Sequence, residues 1–411
     1  MTLIDAHVNV LEICLKPVER NGEYIRWSCD LVRKNCETVE SVDTLWFESP
    51  HGDAAYLADD DAEPFLIAAL MLGMQENRAL HVRGRVSKLL LQNLDEYMAF
   101  WNAMEPHLYH RVELIPDLID SSIPSSAQHD PLATEAAMAA FSGGLDATFL
   151  AWRHHAGEAG WRSRKIGFFV MLSGFDILHD RTAHVDASMK SARETLADIG
   201  AHLKTLRTNL RKVVPVSWNH LHGTSLVACM HFFKHHARTV LIGSCEKYDD
   251  LIIPWGMSPL CDHLLSGASL RVIHDGAEFS RTEKAAAVAQ WQVGRDRVRV
   301  CWGGSRPGGN CMRCEKCLRT MANFAAQDLP IPQSLGGSET LLNRRIMGIK
   351  LRTLAQEAEW RSLLAVRRAG SRPFWHRWIP VLLWFARIRR FYYARTGQGA
   401  RAGIPVTNRR R

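Results

Sequence analysis

Ala137-Met138-Ala139-Ala140-Phe141-Ser142-Gly143-Gly144-Leu145-Asp146-Ala147-Thr148-Phe149-Leu150 reads as a strand, a tight turn and the start of a helix. The apolar run ends at Phe141, Ser142-Gly143-Gly144 breaks it, and a helical pattern begins near Leu145. Adjacent glycines reach backbone conformations that a Cβ forbids, and they let the chain pass within hydrogen-bonding distance of a ligand. The N–H groups at the start of the helix then favour an anion, so a polyphosphate fits here. The turn lacks the Gly-Lys-Ser/Thr ending of a Walker A loop. Taken alone, Ser-Gly-Gly is also a common surface turn.

Outward from this turn, residues 131–330 alternate strand and helix. Strands are expected at 137–141, 165–172, 212–216 and 239–243, with helices at 146–157, 185–206 and 221–236. The alternation implies an α/β domain, a parallel sheet with helices on both faces whose ligands sit at the carboxyl ends of its strands. The glycine turn falls at such an end. Polar clusters fall at others: Ser173-Gly174-Phe175-Asp176, then Trp218-Asn219-His220-Leu221-His222-Gly223, then a long loop from Ser244-Cys245-Glu246 through Trp255 to Cys261-Asp262. A loop of that length inside a compact domain is commonly functional. Asp250, Trp255 and Asp262 are its candidate substrate residues, against the alternative of a structural loop around a packed tryptophan. His222 opens a helix, where it can meet a substrate anion or serve as a cap or core residue.

Cys301, Cys311, Cys314 and Cys317 are the second chemical signal. Thiolates two residues apart turn inward on one zinc knuckle and share a tetrahedral ion, and a fourth from a preceding strand, here 297–300, closes the shell. A closed shell of four thiolates has no open coordination position, so Zn2+ there is structural; an iron–sulfur cluster is the alternative.

The pairing of Ser142-Gly143-Gly144-Leu145-Asp146 with this downstream cysteine spacing resembles the PP-loop ATP pyrophosphatases, and within them the 7-cyano-7-deazaguanine synthase family. The resemblance covers roughly 135–325, under half of the chain. It implies a PP-loop fold, ATP and Mg2+ as cofactors, and nucleotide contacts from Ser142, Gly143, Gly144, Leu145, Asp146 and Thr148. It further implies adenine contacts at Ser173 and Gly174. Ala147 stands where the family carries a second hydroxyl, and Thr148 is one residue on. In that family a carboxylate is activated as an acyl-adenylate with release of pyrophosphate, and a nitrogen nucleophile then gives an amide and, after a second activation, a nitrile. The expected catalytic carboxylates are Asp146, Asp250 and Asp262. The acceptor is expected to be a small carboxylate or carbonyl compound with a nitrogen donor. A tRNA-thiolating relative is the runner-up, with Cys229, Cys245 or Cys261 as its thiol; a nucleotide-binding module without catalysis is a third reading.

The remainder of the 411 residues is expected to add two parts. Residues 1–130 read as a separate α+β domain, with period-two strands near 3–10 and 42–47 and helices near 63–75 and 86–104. Asp59-Asp60-Asp61 and Glu63 read as a solvated acidic turn before a helix rather than a metal site. A linker is expected at 121–126. The net charge of +8 is unevenly placed. Thirteen arginines and no Lys, Asp or Glu lie in 360–411, leaving 38 basic and 43 acidic residues before them. This helical, Arg-rich tail (within 331–411) offers RNA, an anionic membrane or a protein acceptor a surface, and is expected to be separable from the chemistry. Ten cysteines without an export signal point to a reducing, cytoplasmic setting. A homodimer is expected.

Overall fold

The computed structural model describes residues 9–36, 38–53, 57–121, 136–175, 177, 181–301, 307–366 and 372–396, the side chains of 394–396 excepted. The expected linker at 121–126 apart from Ser121, most of the strand near 3–10, and Asp176 lie outside the described residues.

The fold is mixed α/β. Its eleven described strands are β1 (Asn9–Leu15), β2 (Glu19–Asn21), β3 (Tyr24–Asn35), β4 (Thr38–Pro50), β5 (Ala79–Ser87), β6 (Leu114–Asp120), β7 (Ala137–Ala140), β8 (Ile166–Ser173), β9 (Leu203–Thr208), β10 (Thr239–Gly243) and β11 (Arg271–Asp275). They form one sheet in the order β11-β10-β7-β8-β9-β4-β3-β1-β5-β6, with β2 paired to β3. β7 to β11 run parallel to one another. β7 is first in sequence yet lies between β10 and β8, so chain order reverses at the β7–β10 pair. In open α/β sheets that reversal point is where ligands bind.

Several expectations are corrected. The segment 212–216 is not a strand; β9 is the third strand, and Leu210–Val213 is a helical turn behind it. The helix expected over 185–206 is Thr182–Ala197, and it gives way to Gly200 at φ +67 before β9 begins. No strand directly precedes Cys301, and the edge strand β11 was not expected. Residues 9–120 share the sheet of the later strands: β4 pairs antiparallel with β9 through Phe47↔Thr208 and Glu48↔Arg207. Thr208 Oγ1 donates to the Trp46 carbonyl at 2.7 Å, and Asn209 Oδ1 accepts from Trp46 N at 2.9 Å.

The chain divides into two compact units, neither continuous in sequence. The first comprises Met1–Ser142, Arg153–Ser244 and Ile253–Gly276, and holds the whole sheet. Its core includes the helix Glu63–Glu76, buried on all sides from Phe65 to Leu72 rather than along one stripe. The acidic turn before that helix is divided: Asp59 and Asp60 are exposed, as a solvated turn requires, whereas Asp61 and Glu63 are buried. Lys234 Nζ lies 2.9 Å from Glu63 and 2.5 Å from Asp61, and Ser87 Oγ donates to Glu63 at 2.5 Å. Burial raises the Glu63 carboxyl, but His231 and Lys234 overcome it and hold Glu63 well below its ordinary range.

The second unit comprises Gly143–Trp152, Cys245–Ile252 and Ala277–Arg411. Its described helices include Arg281–Ala289, Glu315–Ala325, Glu339–Arg345, Leu354–Ala365 and Phe374–Thr396. A core of its own runs from Leu145 and Phe149 through Leu318, Met321 and Phe324 to Trp360, Trp375, Ile379 and Leu382.

Candidate functional site

The four predicted cysteines come together in the second unit. Their sulfurs lie within 4.8 Å of one another. Cys311 and Cys317 are 3.9 Å apart at sulfur, as are Cys314 and Cys301. A tetrahedral ion with bonds of about 2.3 Å to thiolate places its ligands about 3.8 Å apart, so the cluster fits a metal such as zinc. Local backbone builds the knuckle. Met312 takes φ 54, and the N–H groups of Arg313 and Cys314 donate to Cys311 Sγ at 3.4 and 3.2 Å. Cys314 caps the helix Glu315–Ala325 and Cys317 lies in its first turn, where the positive end of the helix dipole favours thiolate. Hydrogen bonding between the sulfurs pulls the Cys314 thiol down to about 5 and pushes Cys317 up.

Asn310, which nothing in the sequence singles out, ties this centre together. Its buried side chain accepts from Val300 N at 2.9 Å and Cys301 N at 3.2 Å, and donates to the carbonyls of Val298 at 2.8 Å and Ser334 at 3.0 Å. These bonds set Cys301 against Cys311 without a strand.

The same segment reaches the glycine turn. Arg299 N donates to the Gly143 carbonyl at 2.8 Å, and Gly143 has φ +73, the left-handed region. A Cβ on Gly143 would meet nothing nearer than Arg299 Cβ at 3.8 Å, so conformation rather than crowding requires glycine there. Gly144 O accepts from Thr148 N at 2.9 Å, opening the helix Leu145–His155. Ser142, the last residue of the first unit's opening segment, directly precedes it in the chain. Leu145 is buried in the second core, and Thr148 is also buried.

Asp146, in the first turn of that helix, is the centre of a buried charge cluster. Its Oδ2 accepts from Arg281 Nη1 at 2.6 Å, and Lys284 Nζ lies 3.7 Å from Oδ1. Burial acts to raise the Asp146 carboxyl, yet Arg281, Lys284 and Lys316 together hold it below its ordinary value. Glu359 lies 3.9 Å from Arg281 Nε and 3.3 Å from Arg319 Nη1. Arg319 Nε donates to Glu315 at 2.7 Å, as does Trp360 Nε1 at 2.9 Å. Burial raises Glu359 against the pull of Arg319 and Arg281. Four cations therefore face three carboxylates, one of which burial pushes toward neutrality. Arg281 is only 6% exposed, and its Nε and Nη2 have no hydrogen-bond partner among the described residues; neither has Asp146 Oδ1. Buried guanidinium donors without acceptors are costly, and they mark a place for an anion.

Beside this cluster lies a narrow cavity lined by Cys245, Glu246, Asp250, Arg281, Glu359 and Ser362 among others. An open cleft of about 670 Å3 shares Lys247, Asp250, Ser280, Ala358 and Ser362 with it. Burial pushes Glu246 up to about 7, against the Ile252 N–H that it accepts at 2.9 Å.

The other predicted residues lie as follows. Asp250 ends the 3-10 turn Tyr248–Asp250 and lines both cavity and cleft. Asp262, in the first unit, is fully buried and occupied: Oδ1 accepts from Ser258 N at 2.9 Å and Oδ2 pairs with His274 Nδ1 at 2.7 Å. Ser173 ends β8, buried. Gly174 has φ +102, and a Cβ there would lie 1.9 Å from the Thr208 carbonyl oxygen, which is reason enough for glycine. His222 Nδ1 lies 2.9 Å from the Trp218 carbonyl oxygen one turn back in its own helix. Burial pushes Cys229 and Cys261 far up, and Cys245 up to about 12. The tail is not detached from this site. Ala355, Ala358, Glu359 and Ser362 line the cavity, and Trp360 and Trp375 are fully buried in the second core. Comparison of the chain with protein-family models, with curated proteins and with solved structures finds no match to any of them.

Proposed function

We propose that this chain is an ATP-dependent adenylating enzyme of the PP-loop kind, in which the glycine turn and the cations around Asp146 hold the triphosphate. What carries the reading is the surplus of buried cationic donors, with Arg281 Nε and Nη2 unsatisfied, beside the first turn of a helix that a left-handed glycine opens.

ATP supplies the leaving groups. The acceptor's carbonyl oxygen forms a bond to the α-phosphorus as the bond to the β-phosphate oxygen breaks, and a nitrogen nucleophile later displaces AMP from the activated carbon. The chain's own contribution is placement and charge. Arg281, Lys284 and Arg319 receive the negative charge that accumulates on pyrophosphate. Asp146 Oδ1, which has no hydrogen bond among the described residues, is the oxygen suited to a Mg2+ ion. Glu246, which lines the cavity beside the cluster and whose carboxyl burial pushes up to about 7, would accept a proton from an incoming amine. The four-cysteine centre is structural zinc, since four thiolates leave no open position.

A thiolating relative would need a low-lying thiol, and burial works against that in Cys229, Cys245 and Cys261. The test is to incubate the purified chain with ATP, Mg2+ and candidate carboxylates, the deazaguanine carboxylate first. AMP and pyrophosphate should form, and mass spectrometry should find an amide or nitrile. Release of ADP and phosphate overturns the reading, as does turnover that survives Asp146→Asn. Loss of turnover on Cys245→Ser alone would favour thiolation.

A further inference from the structure

The helix Phe374–Thr396 has two unlike faces. Trp375, Ile379, Leu382 and Ala386, at helical spacing, are buried in the second core. On the opposite side Trp384, Ile388 and Phe391 fall within a sector of about 40 to 60° at 3.6 residues per turn, with Phe385 and Tyr392 beside them. Each of these five is 45% to 59% exposed. Contiguous large apolar side chains on an outer face mark an interaction surface. Arg377 and Arg387 are exposed on the same side. Arg390 is engaged, at 2.9 Å from Glu357.

We propose that this outer face is a docking surface for an anionic lipid bilayer. Its partner must be negative, because residues 360–411 carry thirteen arginines and no acidic side chain. It must also bury an aliphatic and aromatic stripe. A phosphodiester chain needs cations along the centre of the contact, whereas here Ile388, Trp384 and Phe391 hold the centre and arginines flank it. A bilayer interface accepts both parts: the ring and aliphatic groups enter the acyl boundary, Trp and Tyr sit at headgroup level, and arginines meet lipid phosphates. No described helix is long and apolar enough to cross a membrane, so this one lies in the plane of the surface.

The test uses the full chain and vesicles of phosphatidylglycerol and phosphatidylcholine, with pure phosphatidylcholine as control. The chain should co-sediment with the anionic vesicles and fall away as salt rises. Acyl chains carrying bromine should quench part of its tryptophan fluorescence, and Trp384→Phe should remove most of that quenching while retaining binding. Because the side chains are exposed, Trp384→Ala with Ile388→Ala and Phe391→Ala should leave the fold intact and lower partitioning about tenfold or more. Arg377→Glu with Arg387→Glu should lower it by a similar factor. Three outcomes overturn the proposal: equal partitioning of the apolar variant; binding of single-stranded RNA through this face with none to vesicles; or a dimer that the apolar variant converts to monomer while vesicles go unbound.

Discussion

Asn310 is the side chain on which the most depends. Replacing it with Ala removes two acceptor and two donor bonds and leaves buried backbone groups unpaired. At about 0.5–1 kcal/mol net for each of the four bonds lost, Asn310→Ala should destabilise the second unit by about 2–4 kcal/mol. As a group that orients a ligand, it should also weaken zinc affinity about 10- to 100-fold, read by competition with a chromophoric chelator. Glu246 makes a pH prediction. Its folded carboxyl is raised to about 7 from the ordinary 4.5, so its contribution is present in full below about 4.5 and is lost as pH rises through 7. The unfolding free energy of the native chain, from urea titrations, should therefore fall relative to Glu246→Gln across that window, by up to about 3 kcal/mol. A constant difference between the two would show that Glu246 is solvated. Sequence could name the cysteines because thiolate spacing is local. Asn310 escaped because its partners lie up to 24 positions away and amide side chains carry no comparable signature.

At the scale of elements, the turn after β7 was legible for the same local reason: two glycines between an apolar run and a helical pattern. The structure adds what holds it, the Arg299 N–H on the Gly143 carbonyl. Gly143→Ala meets open space and should cost only about 1–2 kcal/mol, the strain of a left-handed alanine. Gly143→Val adds bulk where phosphate is proposed to lie, so ATP affinity should drop well beyond what its thermal stability explains; equal losses in the two would make the turn structural only. β9 was misread because Leu203-Lys204-Thr205-Leu206 continues a helical pattern that actually stops before Gly200, a break at φ +67 that single-sequence periodicity does not weigh. β11 was missed since only three apolar or aromatic positions separate Arg271 from Asp275, and pairing with β10 decides the strand.

For the whole chain, the expected boundaries near 130 and 330 give way to units assembled from separated segments. Tertiary pairing overrides sequence order here: β4 chooses β9 across more than 150 residues. The tail's arginines are conspicuous in the sequence, but Trp360 and Trp375 among them are buried in the second core. A chain ending at Glu359 loses Trp360, Leu363, Trp375, Ile379 and Leu382 from the second core. It should expose apolar surface, bind a hydrophobic dye and lose zinc; a truncated chain that keeps zinc and turnover would restore a separable tail. Metal analysis should find about one zinc per chain, and chelation should raise hydrogen exchange in Glu315–Ala325 while β3 and β4 stay protected.

The ion pair between Asp146 and Arg281 spans 135 residues of sequence. On a ribosome adding about 5–20 residues per second, the aspartate emerges roughly 7 to 30 seconds before its partner exists. Glu359, which balances the same arginine, follows later still. The nascent chain therefore carries Asp146 before its counter-charges have been made, and Gly143 before the Arg299 N–H that holds its carbonyl. Synonymous slowing of translation between these positions should lengthen that interval and lower the yield of soluble protein, whereas slowing beyond Thr396 should not.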